Sequence, residues 1–566
     1  MQNFHGDKKL AEARRSLRSY DNNMFVTAWV TSSLVEAFLY TDAPRPSTKQ
    51  LTLALNSLVD HYDRNRNYNN SLMTFWGQVY NKNESCYQSY AYNLNEILTY
   101  AEKMPMSQIK DLLKTLGLEK IPADFQQILS NKDNYLRSLN VPPDFDDTFV
   151  NLGLGSLLFA ARSHLPEAWN IWSQQNTNIS SVFDALEKYA YRPFSGDTNV
   201  NIINPITYVW IHTFLDDAKQ RGQNVTLVPT WILNNEELRK DYTRCIFIAD
   251  NVNNVDATVG ANTVFGITSA VLNKLVSPDV LDKPVIESIY HNTSLLLKHV
   301  IEKNMTDRPD LVLTYYPSRM EFYWFVARTF ALLDSHINQE TLPRPVMTTV
   351  WKMLKSALQN QMTNYVLSKA KHNFLNQTYF DDFVGNGDVT KDNKPLERAE
   401  DRIFTTAMAT NALLYTWLNY NTSASQFQWK ANVPSAVQET VRNSLDWLTD
   451  NVLGQNFAPW NAFFSSATKG PTTDALQYPG NRLEFLNGTA ISDWSKMPKE
   501  AFVYGVQGYI DPKVYETQMR QKHFGIMPTL QFPGYNADSG FFPFWSSTAY
   551  TYSTTLIALS RGKDVQ

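Results

Sequence analysis

The 566-residue chain reads as an all-α protein, an (α/α)6 toroid in which helical hairpins close around one central cavity. Three observations carry that expectation. Apolar residues recur at i, i+3, i+4 and i+7 through long stretches, notably 8–42, 281–303, 345–372 and 433–452. Strand-like alternation is confined to short runs, of which RCIFIA (244–249) and NVTLVP (224–229) are the best. A degenerate repeat also occurs six times, each copy a polar cluster followed directly by a helix of small and apolar residues on all sides.

Taken in order, the six copies begin with DNNMFVTAWVTSSLVEA at Asp21, DFDDTFVNLGLGSLLFA at Asp144 and NNVDATVGANTVFGITSAVL at Asn253. YPSRMEFYWFVARTFALL at Tyr316, EDRIFTTAMATNALLYTW at Glu400 and FWSSTAYTYSTTLIALS at Phe544 complete the set. Asp or Thr at the start suits the unpaired N–H groups of a helix N-terminus. The bodies lack the charged stripe of a surface helix, so they should be buried. Amphipathic helices with Lys/Glu faces lie between them, as at 345–372 and 433–449. Six buried helices alternating with amphipathic ones give an inner and an outer ring. Every inner helix begins with its polar cluster, so the clusters should converge at one end. Residues 1–566 then form one domain, with polar loop insertions around 373–398 and 465–500.

Hydrophobic residues make up 43% and charged residues 19%, ordinary for a globular chain with a large core. A net charge of −4 gives no electrostatic footprint for nucleic acid. No apolar run reaches the roughly 18 residues that a membrane span needs. The first twenty residues carry no apolar stretch of signal-peptide type, which fits either a cytoplasmic protein or one whose leader has been removed. Sequons at Asn69, Asn83, Asn178, Asn224, Asn292, Asn304, Asn376, Asn421 and Asn487 point to a secreted or lumenal glycoprotein. Cys86 and Cys245 are the only cysteines, enough for one bridge. Lys8, Lys9, Arg14, Arg15 and Arg18 read as a solvated helix face.

The sharpest motif is Val141-Pro-Pro-Asp144-Phe-Asp146-Asp147-Thr148. Three carboxylates within four residues cannot all ionise cheaply in a dry site, so one should keep its proton at neutral pH. Two prolines followed by Asp also make a well-capped helix. A cap needs one Asp rather than three, which favours chemistry.

PPDFDDT resembles the DxDDT signature of class II terpenoid cyclases, enzymes whose fold is an α/α toroid. The resemblance implies that Asp146 is the proton donor to an alkene or epoxide of an isoprenoid. Asp144 and Asp147 would then be its acidifying neighbours. Aromatic side chains would stabilise the carbocations, and Phe25, Trp29, Phe149, Phe265, Tyr323, Trp324, Phe404, Trp545 and Tyr550 lie on the inner segments.

Convergence of the caps adds further candidate substrate contacts. They are Asp21 and Asn22; Asn254, Asp256 and Asn262; Tyr316, Arg319 and Glu321; and Asp401. Such clusters serve equally as buried hydrogen bonds and ion pairs between helices. An acid, a base and stacking aromatics at one end of this barrel also suit a secreted glycoside hydrolase or polysaccharide lyase acting on carbohydrate. A toroid that binds a ligand or partner without catalysis is the third reading. In the loop 373–398, Asp382, Asn386 and Asp388 could wrap Ca²⁺, although the spacing is not that of an EF-hand. The acidic turn could equally stand without metal. No zinc spacing, nucleophile elbow, phosphate loop or dinucleotide fingerprint is present.

Overall fold

In the computed structural model the described residues are 2–4, 22–66, 71–115, 140–241, 252–303, 305, 308–382, 401–421, 426–465, 481–485, 489, 501–520 and 544–565. Among these residues the chain is mostly helical, and the strands form small two- and three-stranded sheets. The principal helices are α1 (Met24–Tyr40), α2 (Thr48–Ser57), α3 (Phe145–Ala160), α4 (Pro166–Gln175), α5 (Ser180–Tyr189) and α6 (Pro205–Gln220). They continue with α7 (Ala257–Leu272), α8 (Pro284–Glu302), α9 (Arg319–Ile337) and α10 (Pro345–Ala357), then α11 (Thr363–Lys369), α12 (Arg402–Trp417), α13 (Ser435–Asn451) and α14 (Thr548–Gly562).

The six repeat copies become α1, α3, α7, α9, α12 and α14, starting within a few residues of the expected positions. Each packs on two of the others, in the order α1–α3–α7–α9–α12–α14 and back to α1. Their burial follows from composition. All but one residue of α7 is buried, and every residue of α12 from Ile403 to Trp417 is. The helices between them present one apolar face inward; α13, for example, lies against both α12 and α14.

Five of the six helices have an N-cap whose short polar side chain accepts from the backbone of the first turn; α12, which starts after Asp401, is the exception. Asn23, rather than Asp21, accepts from the Val26 amide at 3.1 Å; Ser318 and Ser547 serve α9 and α14 at 3.3 Å. Asp144 accepts from the Asp147 amide at 2.7 Å. Asp256 accepts from Thr258 and Val259 through one oxygen and from the Tyr315 amide, at 2.8 Å, through the other.

Main-chain contacts hold these starts together. Segment 71–76 pairs with the starts of α1 and α3, as Met24 N–H donates to the Phe75 carbonyl and Asp144 N–H to Met73, both at 3.1 Å. Phe145 N–H reaches Thr230, and Thr230 N–H reaches Asn254 just before α7, each at 2.8 Å. Asn461 accepts from Ser547 N–H at 3.0 Å ahead of α14.

Some expectations need correction. NVTLVP (224–229) makes no strand: only Leu227 forms a bridge, to Tyr191, and its apolar residues are buried in the core without an alternating face. RCIFIA (244–249) lies outside the described residues, as does the basic stretch 8–18. The helix expected over 345–372 passes through a π-turn at Leu358–Met362 and ends at Lys369, because Lys371–His372 pair with Thr378–Tyr379. The sixth copy opens with a strand, Phe544–Ser546, which pairs with Gln2–Phe4 and Phe464–Ser465. The stretch 465–500 includes the strand Asn481–Phe485, paired with Ala501–Gln507.

Small residues allow close helix approach. A Cβ added at Gly155 on α3 would sit 2.0 Å from the Trp172 indole of α4, a contact no rotamer shift of a buried Trp relieves. Gly155→Ala should therefore lower unfolding stability by about 1–3 kcal/mol in urea titration. Gly196→Ala, at a site with no atom within 4 Å, should leave the midpoint nearly unchanged. Equal midpoints for both variants would contradict the packing described for α3 and α4.

Candidate active site

Asp146 sits in the first turn of α3, where the motif meets α7 and the segment before α9. One carboxyl oxygen accepts from Asn262 Nδ2 of α7 at 2.7 Å, and the other is hydrogen bonded to the Tyr316 hydroxyl. Burial, reinforced by the charges of Asp144 and Asp256, pushes its pKa up to about 8 against the opposing pull of these two hydrogen bonds. A Tyr hydroxyl and an amide N–H are neutral donors, too weak to offset complete desolvation.

The neighbouring acids are held the same way. Asp144 caps α3 and its carboxyl is raised to about 7, chiefly by burial. Asp147 is raised well above the usual carboxylate range by burial and by the charges of Asp144 and Asp146. Among the described residues no donor reaches either Asp147 oxygen, and the neighbouring Asp144 carboxyl adds to the upward shift.

Glu321 adds a fourth acid. It is fully buried, accepts from the Tyr550 hydroxyl of α14 at 3.1 Å, and is raised by burial and by Asp146. Among the described residues, no Lys or Arg is a main cause of the shifts at Asp146, Asp147 or Glu321. Burial, rather than an ion pair, dominates the electrostatics of these groups.

Aromatic rings pack around the two tyrosines that bond the acids. Tyr316 lies 5.5 Å from Phe25 and 5.4 Å from Phe464, centroid to centroid. Phe464 stacks on Phe75 at 5.0 Å and Tyr315 at 5.8 Å, and meets Trp545 at 5.6 Å. Phe463 stacks on Phe25 at 5.7 Å and meets Tyr550 at 5.4 Å. Beneath, Trp29, Phe149, Phe265 and Asn262 border a cavity of only about 10 Å³, room for one water.

The expected residues divide into three sets. Asp144, Asp146, Asp147, Asn262, Tyr316 and Glu321 come together, with Asp256 close enough to act on Asp146. Asn254 donates to the Tyr315 hydroxyl at 3.2 Å; Phe149, Phe404, Trp324 and Trp545 belong to the surrounding aromatic packing. Arg319 and Tyr323 instead face Tyr365 on α11, with ring contacts of 5.2 and 5.6 Å. Asp401, buried at the start of α12, accepts from Thr405 at 3.0 Å. Asn22 is exposed, and Asp21 lies outside the described residues.

Of the expected Ca²⁺ ligands, Asn386 and Asp388 are also outside them. Asp382 accepts from Ser318 Oγ and Met320 N–H, at 3.2 and 3.1 Å, bracing the start of α9. Phe75, Phe463 and Phe464 escaped notice because Phe75 and Phe463 lie in irregular segments and Phe464 in a two-residue strand, too short for any periodicity. Among proteins of known family, curated proteins and solved structures, nothing matches this chain.

An acid with a raised folded pKa binds its proton more tightly when folded. Its contribution is full at low pH and is lost as pH climbs from about 4, the unfolded value, to about 8. Asp146→Asn mimics the protonated acid, offering an oxygen to Asn262 and an N–H to Tyr316. Wild type should thus lose more denaturation midpoint than the variant between pH 5 and pH 9. Parallel profiles would mean that Asp146 is not held protonated.

Proposed function

We propose that the chain is an (α/α)6 toroid enzyme that uses Asp146 as a proton donor, in the manner of a class II terpenoid cyclase acting on an isoprenoid. The circuit of six charge-poor helices supports the toroid. A single observation carries the chemistry: Asp146 is buried, raised to about 8, and held by neutral donors without a cation among the described residues. A carboxylic acid that keeps its proton at neutral pH is what general-acid chemistry requires. Tyr316, which bonds it, and the rings of Phe25 and Phe464 packed on Tyr316 offer faces for a developing cation.

On this reading Asn262 fixes the plane of the carboxyl, and Tyr316 occupies the oxygen that exchanges the proton. The Asp144–Asp147 pair keeps negative charge nearby without ionising fully. A secreted or lumenal setting is part of the proposal. Cys86 is disulfide-bonded, and Cys245 lies outside the described residues. Sequon residues Asn83, Asn224 and Asn376 are exposed, whereas the Asn292 amide is buried and donates to Asn224 O and Ser288 Oγ.

The small volume next to Asn262 favours a second reading, a ligand- or partner-binding toroid without catalysis. Incubating the protein with linear isoprenoids and, separately, with a polysaccharide panel separates the possibilities. Cyclised isoprenoid products should form, and Asp146→Asn should reduce them by at least about 100-fold while retaining the fold. Sugar products would move the assignment to a glycoside hydrolase or lyase. No turnover in either panel would leave the non-catalytic toroid.

A further inference from the structure

The opposite halves of the six charge-poor helices enclose a second polar cluster that the proposed acid chemistry does not use. Glu36 of α1 is buried and receives Arg328 of α9 at 3.3 Å, Arg561 of α14 at 3.4 Å, and the Tyr415 hydroxyl of α12. Two guanidinium groups against one carboxylate leave one positive charge unmatched. The nearby pair of Lys430 and Asp334, at 2.7 Å, is complete in itself.

Arg328 is under-used as a donor. Arg328 is 3% exposed, and its Nε has no acceptor. Its guanidinium lies instead against Phe265 at 3.8 Å, Trp29 at 4.6 Å and Trp324 at 5.3 Å. Arg561 lies over Tyr415 at 3.7 Å and Phe427 at 4.5 Å. Ring faces attract a cation but supply no lone pair for its N–H groups. A buried guanidinium left short of acceptors is costly unless something supplies them.

Space for that supplier exists. A cavity of about 70 Å³ borders Glu36, Arg328, Tyr415 and Arg561, with Leu157 and Leu332 among its apolar walls. It is several times the volume beside Asn262, and every one of the six helices contributes a wall residue. One unmatched positive charge selects a monoanion. Planar guanidinium groups suit a carboxylate, and the leucines suit a short hydrocarbon attached to it.

We propose that this cavity is a binding site for a small aliphatic carboxylate, held by Arg328 and Arg561. The full chain would be titrated with butyrate at constant ionic strength, using calorimetry and thermal unfolding, with inorganic phosphate and chloride as parallel arms. Butyrate should bind saturably at one site and raise the unfolding temperature. Arg561→Gln and Arg328→Gln should each weaken it by at least about tenfold, the loss of one charge-assisted contact. Glu36→Gln keeps the acceptor for Tyr415 while removing the competing charge, and should tighten binding severalfold. This last variant decides the question even if the arginine variants fail to fold. Absence of saturable binding by butyrate in wild type, or an affinity unmoved in Glu36→Gln, would overturn the proposal. Tighter binding of phosphate than of butyrate would overturn the carboxylate assignment.

Discussion

Desolvation of carboxyl groups is the constraint on which the organisation of this protein turns. Asp144, Asp146, Asp147 and Glu321 are buried at the starts of α3 and α9. An isolated ionised carboxylate in such a place is prohibitive, so the group neutralises instead. The remainder of that region follows from the consequence. Protonated acids can be bonded by neutral partners, and the partners here are Tyr316, Asn262 and Tyr550. They can also be covered by aromatic rings, which would be poor company for ions that needed water. Helix starts are suited to the role, because their unpaired N–H groups stabilise whatever negative charge does form. Burial nevertheless prevails, since the folded pKa values lie above the usual range.

Further along the same helices the problem has the opposite sign. Arg328 and Arg561 cannot neutralise by losing a proton, as guanidinium stays charged throughout the accessible pH range. Stabilisation must come from outside the group: the Glu36 carboxylate, the π-faces of Trp29, Phe265 and Tyr415, and whatever enters the adjoining cavity. An acid site can therefore close tightly, while an arginine site short of acceptors gains from remaining open. That difference accounts for the contrast between the close-packed surroundings of Asp146 and the larger cavity beside Arg328.

Much of this was legible in the sequence, and the rest was hidden for identifiable reasons. The six buried helices announced themselves by lacking a charged stripe, and the caps at Asp144 and Asp256 were visible as Asp ahead of an apolar run. Clustering of acids in Asp144–Asp147 was local and therefore readable. Glu321 could be read as a candidate, but its partner Tyr550 lies 229 positions away, and no periodicity predicts that pairing. Arg319 and Tyr323 were placed with the site because they share a helix with Glu321, yet they face Tyr365 on the other side of α9. Glu36, Arg328 and Arg561 carried a signal that went unread: each is a charge set among apolar or small neutral residues on a helix without a polar face.

Arg328 links the two regions. It borders the small cavity with Asn262 as well as the larger one with Glu36, and its charge acts on Tyr550, which bonds Glu321. A positive charge that favours ionisation of Tyr550 also favours ionisation of the acid beyond it, though more weakly with distance. An anion against Arg328 would offset that field and make the protonated state of Glu321 still more favourable. By reciprocity, protonating the acids would strengthen anion binding by the same free energy. The route needs no moving part. It requires only one unmatched charge inside a low-dielectric bundle, where the scarcity of water leaves electrostatic interactions poorly screened.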